Sequence, residues 1–209
     1  MRLILASTSP RRREILALLG VPFEIIAPDF DERVSARSSI EKEVLDFALG
    51  KARSVASNNP GSIVIGSDTM ILLNGEKIGK PNDAADAGRI LEFLSGKRHT
   101  IYTSVAIVDG CGGPGLQKIK TVDVDMRPFT KEEIDGYVAA GESLDKAGAY
   151  SIQGRGRDLI AAIYGDYLAA VGMPLRLIAA YLKGRGVVFG CNVDNLYEDK
   201  AFLNWRSFD

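Results

Sequence analysis

A mixed α/β fold is predicted by three features of the sequence. Short apolar runs of strand length, at residues 2–7, 62–73 and 100–108, alternate with stretches whose apolar residues recur at helical spacing, at residues 39–57 and 83–94. Glycine, proline and Asn-Gly signals punctuate the boundaries between them. With 209 residues, 46% of them hydrophobic, the chain has the means to bury a sizeable core as one compact unit of one or two lobes.

Taken in order, residues 2–7 form an apolar run that ends in small polar residues. Pro10 then opens a helix with Ile15, Leu16, Leu18 and Leu19 on one face, and Gly20 stops it. Residues 21–28 read as a second strand. Val44, Phe47, Ala48 and Ala52 give residues 39–57 the apolar face of an amphipathic helix whose other face meets solvent. Residues 62–73 read as a buried strand that leads into a hairpin at Asn74-Gly75, a dipeptide suited to the positive φ angles of a tight turn.

A helix follows at residues 83–94. Two period-two strands, at 100–108 and 119–127, flank the Gly-rich connection DGCGGPG, and Thr130-x-x-Glu133 is a capping box that opens a helix reaching Ala140. Residues 141–156 are rich in turns, 158–164 read as a short strand, and 175–182 as a helix after Gly172-Met173-Pro174. Beyond Gly184 the pattern weakens, so residues 1–184 are expected to form the folded domain and 185–209 an extension. Surface packing, contact with a partner subunit and mobility all stay open for that tail.

Composition excludes several classes of function. No run of 18 apolar residues is present, and the Arg11-Arg12-Arg13 cluster follows the first apolar stretch instead of preceding it, so a cytoplasmic protein is expected. Cys111 and Cys191 have neither CxxC spacing nor a histidine cluster beside them, which argues against a zinc site or a disulfide framework. The net charge of −1, from 26 basic and 27 acidic residues, gives no general drive toward nucleic acid or a membrane surface. Any anion the protein binds must be held by local groups.

Three constellations have the chemistry to do so. Ser7-Thr8-Ser9-Pro10-Arg11-Arg12-Arg13 sets hydroxyls and guanidinium groups at a strand-to-helix loop, where backbone N–H groups and the helix dipole favour a phosphate. A plain helix cap with solvated arginines is the alternative. Three cations in a first turn oppose the dipole at roughly 0.3–1 kcal/mol each, which points instead to a bound anion. The loop is not a Walker P-loop.

The second constellation centres on Asp68, a carboxylate inside the apolar run 63–72. A charge there must be paired, hydrogen-bonded, metal-bound or protonated. Either the strand ends near Gly66 and Asp68 sits in a turn, or Asp68 is a magnesium ligand or general base. Glu32, in the acidic patch Asp29-Phe30-Asp31-Glu32, is a candidate second carboxylate, and Lys51 and Lys80 are candidate counter-charges for phosphate. The third is the stretch from Asp145 to Gly154, whose Gln153, Tyr150 and Lys146 suit either the edge of a base or a hydrogen-bonded surface loop. His99, the single histidine, reads as structural.

Taken together, Ser7-x-Ser9-Pro10-Arg11-Arg12, Gly66-Ser67-Asp68-Thr69, Gly79-Lys80-Pro81, Leu94-Ser95-Gly96 with His99, Asp145 to Tyr150, and Gly172-Met173-Pro174 resemble the Maf family in order and spacing. The resemblance covers residues 3 to about 182. It implies a divalent-metal-dependent pyrophosphatase that hydrolyses nucleoside triphosphates to monophosphate and pyrophosphate, with magnesium the expected metal and manganese a substitute. Nucleotide house-cleaning and an inhibition of septum formation are the roles attached to the family.

The same resemblance makes Asp68 the catalytic proton acceptor. It makes Ser7, Arg11, Arg12, Lys51, Thr69, Lys80 and Gln153 substrate contacts, and Glu32 and Asp68 metal ligands. The DKAGAY-x-IQG string resembles the branch acting on dTTP and UTP. A mixed, elongated central sheet, two lobes with a nucleotide cleft, and a homodimer are further expectations. The alternatives are a pyrophosphatase for inosine-type or 7-methyl-GTP purine nucleotides, and a cell-division regulator without enzymatic activity.

Overall fold

A computed structural model describes residues 2–35, 37–113 and 115–208. Seven strands share one mixed sheet in the order β2-β1-β3-β5-β6-β7, with β4 paired to β3. The strands are β1 (Arg2–Ala6), β2 (Glu24–Ile26), β3 (Ser62–Leu73), β4 (Glu76–Ile78), β5 (Arg98–Asp109), β6 (Leu116–Met126) and β7 (Ile160–Tyr164). β1 runs parallel to both β2 and β3, while the β3–β4 and β6–β7 pairs are antiparallel. The expected α/β class and mixed sheet are therefore present. Of the Gly-rich connection between β5 and β6, Pro114 lies outside the described residues.

The chain divides into two compact units. The first comprises residues 1–68, 103–120 and 172–199. It contains helices α1 (Pro10–Ala17), α2 (Ile40–Ala56), α6 (Leu175–Gly184) and α7 (Val193–Glu198). Ile4 and Ala6 of β1, Val64 of β3, and Ala52 and Val55 of α2 form one buried cluster. The small residues on that face of α2 let the helix lie close to the sheet. Ser39 caps α2 by accepting from Lys42 N, as its position before the apolar face predicts.

In the same unit the first part of the tail is ordered. Gly190 N donates to Leu19 O at 3.0 Å, Asn192 caps α7, Leu196 is buried, and the Arg176 guanidinium stacks 4.1 Å from the Tyr197 ring centroid.

The second unit comprises residues 69–102, 121–171 and 200–209. It holds α3 (Ala84–Leu94), α4 (Lys131–Ala139) and the five-residue α5 (Tyr167–Val171). Asn74 and Gly75 adopt φ of 53° and 82°, so the hairpin turn forms where its dipeptide requires. The Thr130–Glu133 capping box forms in both directions. α3 packs on α4 and on a short 3-10 turn, Ala147–Ala149. Among the described residues no helix is long and apolar enough to cross a membrane.

Candidate functional site

β3 does not end at Gly66. It continues through Asp68 to Leu73, so the carboxylate stands within a buried strand and the turn alternative is set aside. Its surroundings follow from a missing side chain. A Cβ on Gly66 would lie 2.2 Å from the Ala48 carbonyl oxygen, so only glycine lets α2 approach β3 this closely. Strand alternation puts Asp68 on the face of residue 66, and helical spacing puts Lys51 on the side of Ala48.

The two side chains meet there. Lys51 Nζ donates to Asp68 Oδ1 at 2.6 Å and lies 2.6 Å from Glu32 Oε1. Lys51 and Asp68 are buried, whereas the Glu32 side chain is more than a third exposed. Glu32 arrives on a loop that is fixed at two points. Phe30 packs edge-on to Phe47 and lies against the bare backbone of Gly50, and Ser35 N donates to the buried Glu43 carboxylate of α2.

Arg12 joins the cluster through its charge. Burial lowers the pKa of its guanidinium while Asp68 and Glu32 pull it back up. Burial also pushes the Asp68 carboxyl above the usual carboxylate range, against the downward pull of Lys51 and Arg12. Such a carboxylate binds a proton more readily than a solvated one, as a general base requires.

The Gly172 carbonyl ties these pieces together. It accepts from Arg12 Nε at 3.0 Å and from Ser67 Oγ at 3.0 Å, while Ser67 Oγ also lies 2.7 Å from Ser104 O. Gly172 has φ of 127°, a conformation that favours glycine and aims its carbonyl into the cluster. Nearby, Ser7 is buried and accepts from Ser9 N at 3.1 Å. Arg11, Arg12 and Arg13 occupy the first turn of α1, which contains no acidic residue of its own.

Within the second unit, Thr69 follows Asp68 on β3 and is half-buried. Lys80 is exposed and makes no hydrogen bond or ion pair among the described residues. Its neighbour Gly79 accepts at its carbonyl from Gly148 N at 3.0 Å, which binds the Gly-Lys-Pro loop to the Asp145–Gly154 stretch. That stretch is tightly folded. A Cβ on Gly156, two residues past its end, would lie 2.1 Å from Ser151 O, and the Tyr150 hydroxyl shares a 2.8 Å hydrogen bond with His99 Nε2.

Gln153 is 8% exposed and its backbone N donates to Ser151 Oγ at 3.2 Å. Its Nε2 has no hydrogen-bond partner among the described residues. A buried amide donor left without a partner carries a desolvation cost of about 1–3 kcal/mol, which a bound ligand's acceptor would relieve.

The structure thus gathers Arg12, Glu32, Lys51 and Asp68 into one charged cluster. Gly172, Ser67, Glu43 and the Phe30–Gly50 contact, all of which support it, were not singled out as site residues from sequence. For Gly172 the repeated order of Gly-Met-Pro with the other motifs is the one available signal.

Two carboxylates suit a hard divalent cation that draws its remaining ligands from water and phosphate. No group of three or more His, Cys, Asp or Glu side chains able to build a cage on its own occurs among the described residues.

Comparisons with known proteins bear on most of the chain. The family model described as Maf-like protein matches residues 2–185. A dTTP/UTP pyrophosphatase of Moorella thermoacetica is 47% identical over 193 residues, covering 92% of this chain and 97% of that protein. A dTTP/UTP pyrophosphatase of Bacillus cereus is 45% identical over 188 residues, covering 87% and 94%. The matched span takes in the Arg12, Glu32, Lys51 and Asp68 cluster as well as Gln153, and on that extent of likeness the chain belongs to the Maf family.

Proposed function

We propose that this protein hydrolyses dTTP and UTP to the monophosphate and pyrophosphate. The carrying observation is the buried Lys51–Asp68 pair with Glu32 and Arg12 around it. The relatives' names supply the substrate class.

In this reading Arg11, Arg12 and Ser7 take the phosphate oxygens at the start of α1, and Lys51 and Lys80 add positive charge. Magnesium on Glu32 and Asp68 would supply charge neutralisation at the phosphates. Asp68 orients a water and takes its proton as the water oxygen bonds to the α-phosphorus. The bond from that phosphorus to the α,β-bridging oxygen breaks, and pyrophosphate leaves with the electron pair. Positioning and charge stabilisation by Arg12 and Lys51 supply much of the rate.

Gln153 reads the base. Its amide presents N–H donors beside a carbonyl acceptor, the complement of the N3–H and carbonyl edge that thymine and uracil share. Thr69 lies beside Asp68 in sequence and contacts the substrate in the same reading.

The test is incubation of purified protein with magnesium and UTP, dTTP, CTP, GTP, ITP or 7-methyl-GTP, with products separated by chromatography. Monophosphate plus pyrophosphate from UTP and dTTP is expected, together with loss of pyrimidine preference in Gln153→Ala. Turnover of GTP or ITP ahead of both pyrimidines overturns the base assignment, and absence of turnover on every nucleotide overturns the activity.

A further inference from the structure

Residues 200–208 lie beyond the span that matches the family, yet they are folded against one part of the second unit. Trp205 is buried and stacks on Tyr167 with ring centroids 5.2 Å apart and an interplanar angle of 14°. Phe208 tilts onto the same tyrosine at 5.8 Å, and the Tyr167 hydroxyl donates to Leu203 O at 2.6 Å. Lys200 and Asn204 adopt left-handed φ of 48° and 63°, a conformation uncommon for lysine and readily taken by asparagine.

Further contacts of this segment fall on one short turn. Arg157 Nη2 donates to Ser207 O at 3.1 Å while its guanidinium lies 5.6 Å from the Phe208 ring centroid. Asn204 Nδ2 donates to Gly154 O at 3.4 Å. Arg157 and Gly154 belong to the 3-10 turn Gly154–Leu159, and the residue at its N-cap is Gln153. Within that turn Gly156 and Leu159 are buried while the other four residues are at least partly open to solvent, so its apolar anchorage rests on those two positions.

We propose that residues 200–208 form a latch that positions Gln153 for base selection, with Trp205 and Arg157 as positioning residues. The inference rests on the reading of Gln153 as the base contact. The latch acts by fixing the turn that begins at Gln153, so its loss loosens the amide without touching the Lys51–Asp68 cluster. Small misplacements of a positioning group have large effects on selectivity, because a hydrogen bond that discriminates must meet its partner at a fixed distance.

The experiment measures kcat and KM for UTP and GTP in the full chain and in Trp205→Ala, Arg157→Ala and Trp205→Phe. Trp205→Ala and Arg157→Ala are each expected to raise KM for UTP about tenfold and lower the UTP:GTP ratio of kcat/KM by a similar factor, with kcat within about twofold. Trp205→Phe, which keeps an aromatic face on Tyr167, is expected to restore most of the ratio. In a Gln153→Ala background, Trp205→Ala should change the ratio no further, since the two act as one unit.

A wild-type enzyme without preference for UTP over GTP overturns the base reading itself and the latch with it. A preference lost in Gln153→Ala but kept in Trp205→Ala and Arg157→Ala overturns the latch alone. An equal loss on both nucleotides accompanying a lower melting temperature also overturns it, since that marks a stabilising segment and nothing more.

Discussion

The ring of Phe30 stands where a side chain on Gly50 would be. A Cβ at that position would lie 2.1 Å from Phe30 Cε2. Because Glu32 follows two residues later and reaches Lys51 at 2.6 Å, the missing side chain in the middle of α2 helps set a carboxylate of the charged cluster. Gly50→Ala therefore sets two effects against each other. Alanine gains about 1 kcal/mol of helix propensity, while the overlap drives Phe30 and its loop away from α2. The expected outcome is a protein within about 1 kcal/mol of wild-type stability whose turnover falls about tenfold. Wild-type turnover in this variant would show that the Phe30 contact does not place Glu32.

Asp68→Asn preserves shape and removes the proton acceptor. Turnover is expected to fall by about 100-fold or more, the usual scale of a lost general base. Stability moves the other way. Burial raises the Asp68 pKa above its ordinary value of 3.8, so the folded state favours the protonated acid. The resulting stability is full below the unfolded pKa and is lost as pH rises through the folded one. Thermal melts should show wild type losing ground to Asp68→Asn as pH rises from the acid range, with the gap constant once Asp68 is ionised. A wild type that instead gains on the variant with rising pH would mean that the attraction of Lys51 and Arg12 exceeds the cost of burial.

Lys51→Met removes the one ammonium that Asp68 and Glu32 share. Asp68 is buried, so losing its partner is expected to cost about 3 kcal/mol at neutral pH, the scale of a broken buried pair. Glu32, more than a third exposed, adds little to this figure. Urea unfolding at pH 7 measures the loss, and the acid limb of the activity profile should move to higher pH as Asp68 loses a neighbouring cation. A loss below about 1 kcal/mol, the scale of a surface pair, would mean that water reaches Asp68 and the cluster is not sealed.

Much of this arrangement was legible in the sequence because local chemistry carries it. Asn74-Gly75, the Thr130–Glu133 box and the apolar stripe of α2 state their conformations within a few residues. Asp68 is conspicuous because it interrupts an apolar run. Its pairing with Lys51 is not, since it depends on how closely α2 approaches β3 at Gly66, a property of two distant segments. The Gly172 carbonyl is hidden for a different reason: every residue has a carbonyl, and sequence does not show which one faces an arginine. Glu43 resembles any solvated helical acid, yet it is buried and takes Ser35 N. Helices α5 and α7, of five and six residues, are too short to display a period. The stacking of Trp205 on Tyr167 joins residues 38 apart in sequence, beyond any local pattern.

His99 makes a pH-dependent prediction in the opposite direction from Asp68. It is almost fully buried, and burial lowers its pKa to about 4, so it is neutral in the folded protein at pH 7. Its Nε2 bond to Tyr150 holds the chain three residues before Gln153. A depressed histidine pKa leaves stability full above the unfolded value of 6.5, and that stability declines as pH falls toward 4. The shift corresponds to about 3 kcal/mol across this window. His99→Gln, which keeps a polar group facing Tyr150 without titrating, is expected to flatten the fall in melting temperature between pH 6.5 and 4. At pH 7, where His99 is already neutral, the two proteins should differ much less. Parallel melting curves for wild type and His99→Gln throughout the acid range would show that another group carries the acid sensitivity, and that the His99–Tyr150 contact does not exclude the charged ring.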